Sequence, residues 1–251
     1  MAVDEMLLER ARAGSTMPVL RLYAWDPACL SLGYGQAIEE VDRDRLKEKG
    51  WDLVRRATGG KAILHTDEMT YSVIGPRQDP RLAGSILASY LVLSGALASA
   101  LKSLGLDVQI EPSGKPGPTE VEDGPVCFVI PSAHEITAGG RKLVGSAQSR
   151  KGGAMLQHGT IPLTGDLRRI TEVLAYPDEQ TRTSAGQEVL DRATTVAREL
   201  GRAVSWDEMA GALMDSFEST LNLELIPSEL GEDEALQVET LLAEKAAILS
   251  N

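Results

Sequence analysis

The chain has 251 residues, of which 43% are hydrophobic, 25% are charged and 4% are aromatic. This composition is typical of a globular protein with one large or two small domains, and it excludes a mainly disordered chain. No run approaches the roughly 18 apolar residues that cross a bilayer, and acidic residues occupy the N-terminus, where a secretory signal would be basic. Two cysteines are too few for a disulfide framework. We therefore expect a soluble, cytoplasmic protein with no membrane partner.

The net charge of −12 comes almost entirely from the last third of the chain. Residues 166–251 contain 7 Lys and Arg against 18 Asp and Glu, whereas residues 1–165 contain 18 against 19. Two windows, 55–66 and 136–165, contain basic residues and no carboxylate. Nucleic-acid binding needs clustered positive charge, so this acidic chain predicts no nucleic-acid partner. The basic windows suit a small anion or one acidic protein, unless they are chance clusters on a solvated face.

Strands and helices alternate along the first half of the chain. In chain order, the hydrophobic patterns predict a helix over 3–12, strands over 18–23 and 30–34, a helix over 41–49, strands over 51–55, 62–64 and 69–74, a long Ala- and Leu-rich helix over 82–104, and a strand over 106–111. Residues 112–126 contain four prolines and three glycines, which predicts a loop long enough to suggest a function.

Two strands and then a series of helices are predicted after this loop. The strands cover 142–149 and 154–162, and the helices follow over 167–174, 187–200, 205–221 and 231–249. Ser205 and Glu208 have the spacing of a capping box, which marks a helix start. The whole pattern predicts an α+β fold, with a mixed or antiparallel sheet flanked by helices and an acidic helical portion packed against it.

The first candidate site is the segment RRATGGKAILH, residues 55–65. Gly59 and Gly60 let the backbone approach a ligand closely and leave N–H groups that can face an anion. Arg55 and Arg56 end a predicted strand, so their side chains point to opposite faces and one of them can reach a ligand. The same spacing also fits a tight hairpin with exposed charges.

Two further candidates lie later in the chain. In residues 141–161, Ser146, Gln148 and His158 interrupt an apolar alternation, which indicates a strand pair with one functional face or a histidine satisfied within the core. Cys127 follows the Pro- and Gly-rich loop, and a nearby ammonium group would favour its thiolate, although free cysteines are usually buried and inert. Cys29 lies in an apolar run and is predicted to belong to the core. The scattered histidines and cysteines predict no metal site.

Five segments of the chain resemble the biotin/lipoate A/B protein ligase family. They are MAVDEMLL at residues 1–8, RATGGKAILH at 56–65, MTYSVI at 69–74, GRKLVGSAQSR at 140–150 and LQHGTIPL at 156–163. The resemblance implies the catalytic-domain fold of that family over residues 1–225, with residues 226–251 adding a C-terminal helix. The family usually has a strand before the MAVDEMLL helix, so we expect that N-terminal strand either to be absent, which would expose one sheet edge, or to lie upstream of a misassigned start.

Within this family, the segment VCFVIPSAHEI is similar to the one that carries the acyl-accepting cysteine of octanoyltransferases, which places the nucleophile at Cys127. The resemblance implies an acyltransferase of lipoate biosynthesis that works in two steps. Cys127 takes the octanoyl group from octanoyl-[acyl carrier protein] as a thioester. A lysine of a lipoyl-domain protein, such as the glycine cleavage H protein, then takes it as an amide. The free energy changes little in the first step and falls in the second, so no cofactor is expected.

The resemblance also assigns residues to the site. Lys142 matches the site lysine of the family, and we expect it to lower the pKa of the Cys127 thiol and to hydrogen-bond the acyl carbonyl. The other matching residues are Arg56, Gly59, Gly60 and His65, in the loop over the acyl chain, and Gly145, Ser146, His158 and Gly159, in the strands that form the floor of the pocket. We further expect an exposed subset of Arg55, Arg150 and Lys151 to guide the acidic carrier protein, with the acidic last third facing away.

Three other activities stay open at this point. An ATP-dependent lipoate or octanoate ligase would need ATP and Mg²⁺, with Lys142 orienting an acyl-adenylate and Cys127 incidental. An amidotransferase would move octanoyl between two lipoyl-domain proteins through a cysteine. A non-catalytic protein that binds lipoyl domains would need neither Cys127 nor Lys142.

Overall fold

The computed structural model describes residues 1–14, 16–111, 126 and 134–250. Cys127 and residues 112–125 of the predicted loop lie outside the described residues. The α-helices are α1 (Ala2–Arg12), α2 (Arg43–Glu48), α3 (Ile86–Ser103), α4 (Glu179–Arg192), α5 (Val196–Leu200), α6 (Trp206–Leu221) and α7 (Glu232–Ser250), and 3₁₀ helices cover Ile38–Glu40 and Leu167–Val173. The strands are β1 (Val19–Tyr23), β2 (Cys29–Leu32), β3 (Asp52–Arg55), β4 (Ile63–His65), β5 (Glu68–Pro76), β6 (Val108–Ile110), β7 (Ile136–Ala138), β8 (Arg141–Lys151) and β9 (Ala154–Pro162).

The strands form two sheets. The larger sheet has the order β1-β5-β9-β8-β7-β6, and all its neighbours are antiparallel. The smaller sheet has the order β3-β2-β4, in which β2 is parallel to β3 and antiparallel to β4. Because helices pack against these sheets, the predicted α+β class with a mixed or antiparallel sheet is confirmed.

The two faces of the larger sheet carry different residues. Directly opposed residues of antiparallel strands share a face, so Tyr71 and Gly159 lie on one face and Ser72 and His158 on the other. The first face packs under α3 and α6 and forms the main hydrophobic core; we call it the α3 face. On the second face, Ile74 and Leu156 pack against α1, so we call it the α1 face.

Helix α3 is the central helix of the main core. Ser85 caps it by accepting a hydrogen bond from the backbone N–H of Ala88, and Leu93, Leu97 and Leu101 are fully buried. Its 18 residues have a mean hydropathy of 1.4, and 44% of them are buried. By length and composition alone, α3 is therefore long and apolar enough to cross a membrane. No such segment was predicted from the sequence. Its packing against α6 is that of a core helix.

The last third is helical, but two helices replace one predicted helix. The sequence predicted a single helix over 187–200, and this was wrong: α4 ends at Arg192, and the chain is extended before α5 begins. In this break Thr194 donates its N–H to the carbonyl of Lys142 at 3.0 Å, and Thr195 caps α5 by accepting from the N–H of Arg198. Strand β7 was also missed. The helix start at Ser205 is confirmed, because its hydroxyl accepts from the N–H of Glu208 at 3.1 Å.

The C-terminal helix α7 packs against α1. Val238 and Leu241 pack against the hydrophobic cluster of α1, and Arg10 forms an ion pair with Glu234 at 3.1 Å. Strand β1 forms one edge of the larger sheet. The division of the chain at residue 225 stays a prediction.

Two glycine substitutions test the close packing of the larger sheet. A Cβ atom at Gly159 would lie 2.3 Å from the carbonyl oxygen of Gly145 and 2.7 Å from the ring of Tyr71, whereas one at Gly95 in α3 meets nothing within 4 Å. We expect Gly159→Ala to lower the free energy of unfolding by about 1–3 kcal/mol and Gly95→Ala to raise it by about 0.5–1 kcal/mol. Denaturant unfolding of both variants measures this, and a stabilised Gly159→Ala would contradict the register of β8 and β9.

Candidate functional site

A layer of buried polar side chains separates the α1 face of the larger sheet from the smaller sheet. We call it the polar layer, and its members are Ser31, Arg56, Thr58, His65, Glu68, Thr70, His158 and Thr160. Buried polar groups are costly unless they are hydrogen-bonded. The partners within this layer therefore fix how the two sheets sit together.

Arg56 holds the glycine loop from inside. It follows β3, and its guanidinium donates to the carbonyl and the hydroxyl of Ser31 at 2.8 and 2.9 Å. It also donates to the carbonyls of Gly59 and Lys61 at 3.2 and 2.9 Å. A Cβ atom at Gly33 would lie 1.8 Å from the carbonyl oxygen of Gly60, so the loop lies directly on the turn after β2. Arg56 and both predicted loop glycines thus form one unit.

Arg55 points away from this unit, as the strand alternation predicted. Its guanidinium donates to the carbonyls of Gly33 and Tyr34 at 3.0 and 3.3 Å, and to that of Gln36. These contacts bind Arg55 to the turn after β2. The contacts therefore favour a role for Arg55 in holding this turn over the predicted role in guiding a partner protein.

His65 is buried and bonded at both ring nitrogens. Its Nε2 lies 2.7 Å from the hydroxyl of Ser31, and its Nδ1 lies 2.6 Å from Glu68 Oε1. The ring stacks on Trp25, with centroids 4.5 Å apart. Glu68 also accepts hydrogen bonds from the hydroxyls of Thr70 and Thr160, so β4, β5 and β9 meet at one carboxylate.

His158 joins the larger sheet to the glycine loop. Its Nε2 lies 2.6 Å from the hydroxyl of Thr58, whereas its buried Nδ1 has no hydrogen-bond partner among the residues that the structure describes. Burial lowers the pKa of His158 to about 3, against the opposing effect of Asp4. The imidazole is therefore neutral at pH 7.

Helix α1 supplies an acidic group to the same face of the sheet. Asp4 accepts hydrogen bonds from Arg21, from the hydroxyl of Tyr23 at 2.9 Å and from that of Ser72 at 2.8 Å. Burial raises the pKa of Asp4, but the N-terminal amine and Arg21 outweigh burial and lower it. Asp4 therefore stays ionised, which gives the MAVDEMLL segment a structural role at the polar layer.

The predicted pocket floor is divided between the two faces of the sheet. Gly145 lies opposite Thr160, so it shares the α1 face with His158. Ser146 lies opposite Gly159 on the α3 face, and its hydroxyl is 2.7 Å from that of Tyr71. The structure therefore places the Ser146 side chain on the side of the sheet away from the His158 ring.

Lys142 and Glu135 form a buried ion pair. Lys142 is the second residue of β8, three residues before Gly145, and Glu135 directly precedes β7. Val126, the residue before Cys127 in the chain, is bridged to Ala62, beside the glycine loop. Cys127 itself lies outside the described residues. Cys29 is buried, and burial raises the pKa of its thiol to about 12, so the prediction that it belongs to the core is confirmed.

The predicted basic residues of the β8–β9 hairpin differ in exposure. Arg150 donates to the carbonyls of Gly84 and Leu82 at 2.7 and 2.9 Å, and burial together with Arg77 lowers its pKa. Lys151 is exposed at the hairpin turn. Within the described part of the chain, no cluster of three or more His, Cys, Asp or Glu is placed to hold a metal ion.

The sequence analysis missed Glu68, Ser31, Trp25 and Glu135. A signal for Glu68 was present, because Glu68, Thr70 and Ser72 alternate with three large apolar residues along one strand. This period of two marks a strand with one polar face. Glu135 carried no such signal, since its partner is set by the β7–β8 pairing.

Comparisons with known proteins point to one family. The profile of the lipoyl protein ligase A/B catalytic domain matches residues 1–218. The chain is 44% identical over 248 residues to octanoyltransferase LipM of Moorella thermoacetica, which covers 98% of this chain and 90% of that protein. It is 37% identical over 245 residues to octanoyltransferase LipM of Staphylococcus aureus, which covers 96% and 89%.

Solved structures with a similar fold are lipoate ligases. A bi-partite lipoate protein ligase from Thermoplasma acidophilum, studied with its E2 lipoyl domain, has 26% identity and a TM-score of 0.76, covering 96% of this chain and 88% of that one. Lipoate-protein ligase A bound with ATP has 29% identity and a TM-score of 0.76, covering 97% and 88%. The predicted resemblance to the biotin/lipoate ligases is confirmed.

The buried neutral His158 predicts acid sensitivity. Its pKa is lower in the folded chain than in the unfolded chain, so the unfolded state binds more protons and stability falls as the pH drops below the unfolded value. We expect a loss of about 2 kcal/mol from this group between about pH 7.5 and about pH 5. Denaturant unfolding at both pH values should show this loss in the native protein and a smaller one in His158→Gln. Equal losses in the two proteins would mean that His158 is not held neutral.

Proposed function

Because the chain belongs to the lipoyl protein ligase A/B catalytic domain family, we propose that it is an octanoyltransferase, an acyltransferase of lipoate biosynthesis. One observation carries this proposal: the chain is 44% identical to an octanoyltransferase LipM along 98% of its length. Its identity to the solved lipoate ligases named above is lower, at 26–29%.

The proposed reaction has two steps, and both proceed through Cys127. The thiolate of Cys127 attacks the thioester carbonyl of octanoyl-[acyl carrier protein], the bond to the carrier sulfur breaks, and the carrier leaves as a thiol after taking up a proton. The neutral amine of a lysine on a lipoyl-domain protein then attacks the S-octanoyl group. The amide forms, the amine releases a proton, and the Cys127 sulfur leaves. No ATP enters either step.

The geometry of the described residues supports this reaction. Val126 lies against Ala62, which brings the chain directly before Cys127 beside the glycine loop. His158 lies on the same side of the larger sheet as that loop, and its Nδ1 is unpaired among the residues that the structure describes. An unpaired polar atom inside a protein is rare unless a ligand or water completes it. We therefore assign Arg56, Gly59, Gly60, His65, Gly145 and His158 to the acyl site, with Lys142 acting on the acyl carbonyl.

Ser146 and Gly159 have a supporting place in this proposal. They lie on the α3 face, where a side chain at Gly159 would collide with Tyr71 and with the backbone of Gly145. Their part is to let β8 and β9 pack closely under α3, so that Gly145 and His158 keep their positions on the opposite face.

The proposed partners follow from the same chemistry. The donor is octanoyl-[acyl carrier protein], and the acceptor is a lipoyl-domain protein such as the glycine cleavage H protein, both in the cytoplasm. Acyl carrier proteins are acidic, so an exposed basic residue can guide them to the site. Among the residues predicted to do this, Lys151 is exposed. No cofactor takes part.

An ATP-dependent lipoate ligase is the second candidate function. The observation that favours it is the similarity to lipoate-protein ligase A bound with ATP, at 29% identity and a TM-score of 0.76. In that reaction Lys142 would orient an acyl-adenylate, ATP and Mg²⁺ would be required, and Cys127 would be dispensable.

The adduct on Cys127 is the direct test of the proposed function. Incubation with octanoyl-[acyl carrier protein] should add the mass of one octanoyl group to the native protein and to Cys29→Ala, and none to Cys127→Ala. Mass spectrometry of the intact protein and of its peptides measures the adduct and its position. Cys29→Ala is the matched control, because its thiol is buried in the core.

Two results would select another activity. Modification of a lipoyl domain that needs ATP and survives in Cys127→Ala would identify a ligase. Rapid transfer from an octanoylated H protein, with none from the acyl carrier protein, would identify an amidotransferase.

A further inference from the structure

Glu135 is the group that directly contacts Lys142. The ammonium of Lys142 donates to Glu135 Oε1, and the two residues are 5% and 6% exposed. A buried charge is strongly unfavourable unless it is paired with an opposite charge. The contact between these two opposite charges therefore stabilises both of them.

The backbone on both sides of the pair is held in place. The carbonyl of Glu135 accepts the N–H of Glu111 at 2.9 Å, and that of Lys142 accepts the N–H of Thr194 at 3.0 Å. His134, directly before Glu135, has a φ of 66°, a left-handed conformation that residues other than glycine seldom adopt. Such conformations persist where the surrounding structure fixes them, and they cluster at functional sites.

We propose that Glu135 is a positioning residue for octanoyl transfer, which aims the ammonium group of Lys142 at the reacting carbonyl. This inference rests on the proposed function. A carboxylate in contact with the ammonium restricts the conformations that the long lysine side chain adopts, and such preorganised groups stabilise an oxygen on which negative charge develops. Of the two roles predicted for Lys142, this proposal concerns the hydrogen bond to the acyl carbonyl.

A second ion pair on the same strand provides the matched control. Arg141, next to Lys142 on β8, pairs with Glu199 of α5 at 2.8 Å, and Glu199 also accepts from the hydroxyl of Thr194. Glu199→Gln therefore removes a carboxylate from a neighbouring ion pair without touching Lys142.

The test is the rate at which the S-octanoyl enzyme forms in a single turnover with octanoyl-[acyl carrier protein], followed by mass spectrometry. We expect Glu135→Gln to lower the maximal rate about 100-fold. The donor concentration that gives half of the maximal rate should change little. Glu135→Asp keeps the charge and should recover part of the rate, and Glu199→Gln should stay within about twofold of the native rate. A native rate in Glu135→Gln would overturn the proposal.

A double-mutant cycle separates positioning from a purely structural role. If Glu135 acts through Lys142, then Glu135→Gln costs nothing further once Lys142→Met has removed the ammonium, and the double variant should be no slower than Lys142→Met within about threefold. If the fold-losses in rate of the two single variants multiply in the double variant, the two residues act independently. That result would also overturn the proposal.

Thermal unfolding of each variant identifies any that fail to fold. Should Glu135→Gln be one of them, the double variant decides, because it leaves no buried charge unpaired. A double variant that is more than about threefold slower than Lys142→Met would then contradict the positioning role. The absence of any octanoyl adduct on the native protein would instead contradict the proposed function, so the two failures are distinguishable.

Discussion

Hydrogen bonding in the polar layer between the two sheets is the constraint on which the site depends. The Glu68 carboxylate accepts from His65 and two threonines, and Arg56 holds the glycine loop from within. Polar groups removed from water stabilise a fold only when their partners are in place. The smaller sheet, the glycine loop and the central strands of the larger sheet are therefore locked together as one unit.

Within this unit, the ring of His158 joins the larger sheet to the glycine loop. The His158 ring is neutral because burial disfavours its charged form, and its Nδ1 is unpaired among the described residues. The Lys142–Glu135 pair lies along the same sheet and carries opposite charges that are both buried. In the proposed reaction, the fixed ammonium of Lys142 acts on an acyl carbonyl, whose oxygen becomes negative during transfer.

Much of the fold was predictable from local pattern. The alternation in β5 and β9, the capping box at Ser205 and the apolar spacing of α1 each identified an element close to its observed bounds. The single helix predicted over 187–200 failed because Thr194 bonds to the backbone of Lys142, a residue far away in the chain. The apolar spacing of α4 and α5 is continuous, and only a contact with β8 breaks it.

For the candidate site, the sequence by itself predicted which segments carry it, among them the glycine loop, the GRKLVGSAQ strand and the LQHG strand. Only the tertiary structure decided that Ser146 and His158 lie on opposite faces of the sheet, that Thr58 contacts His158, and that Glu135 pairs with Lys142. The physical reason is that strand alternation is a local property of the backbone, whereas a partner across strands depends on their register and on how the two sheets pack.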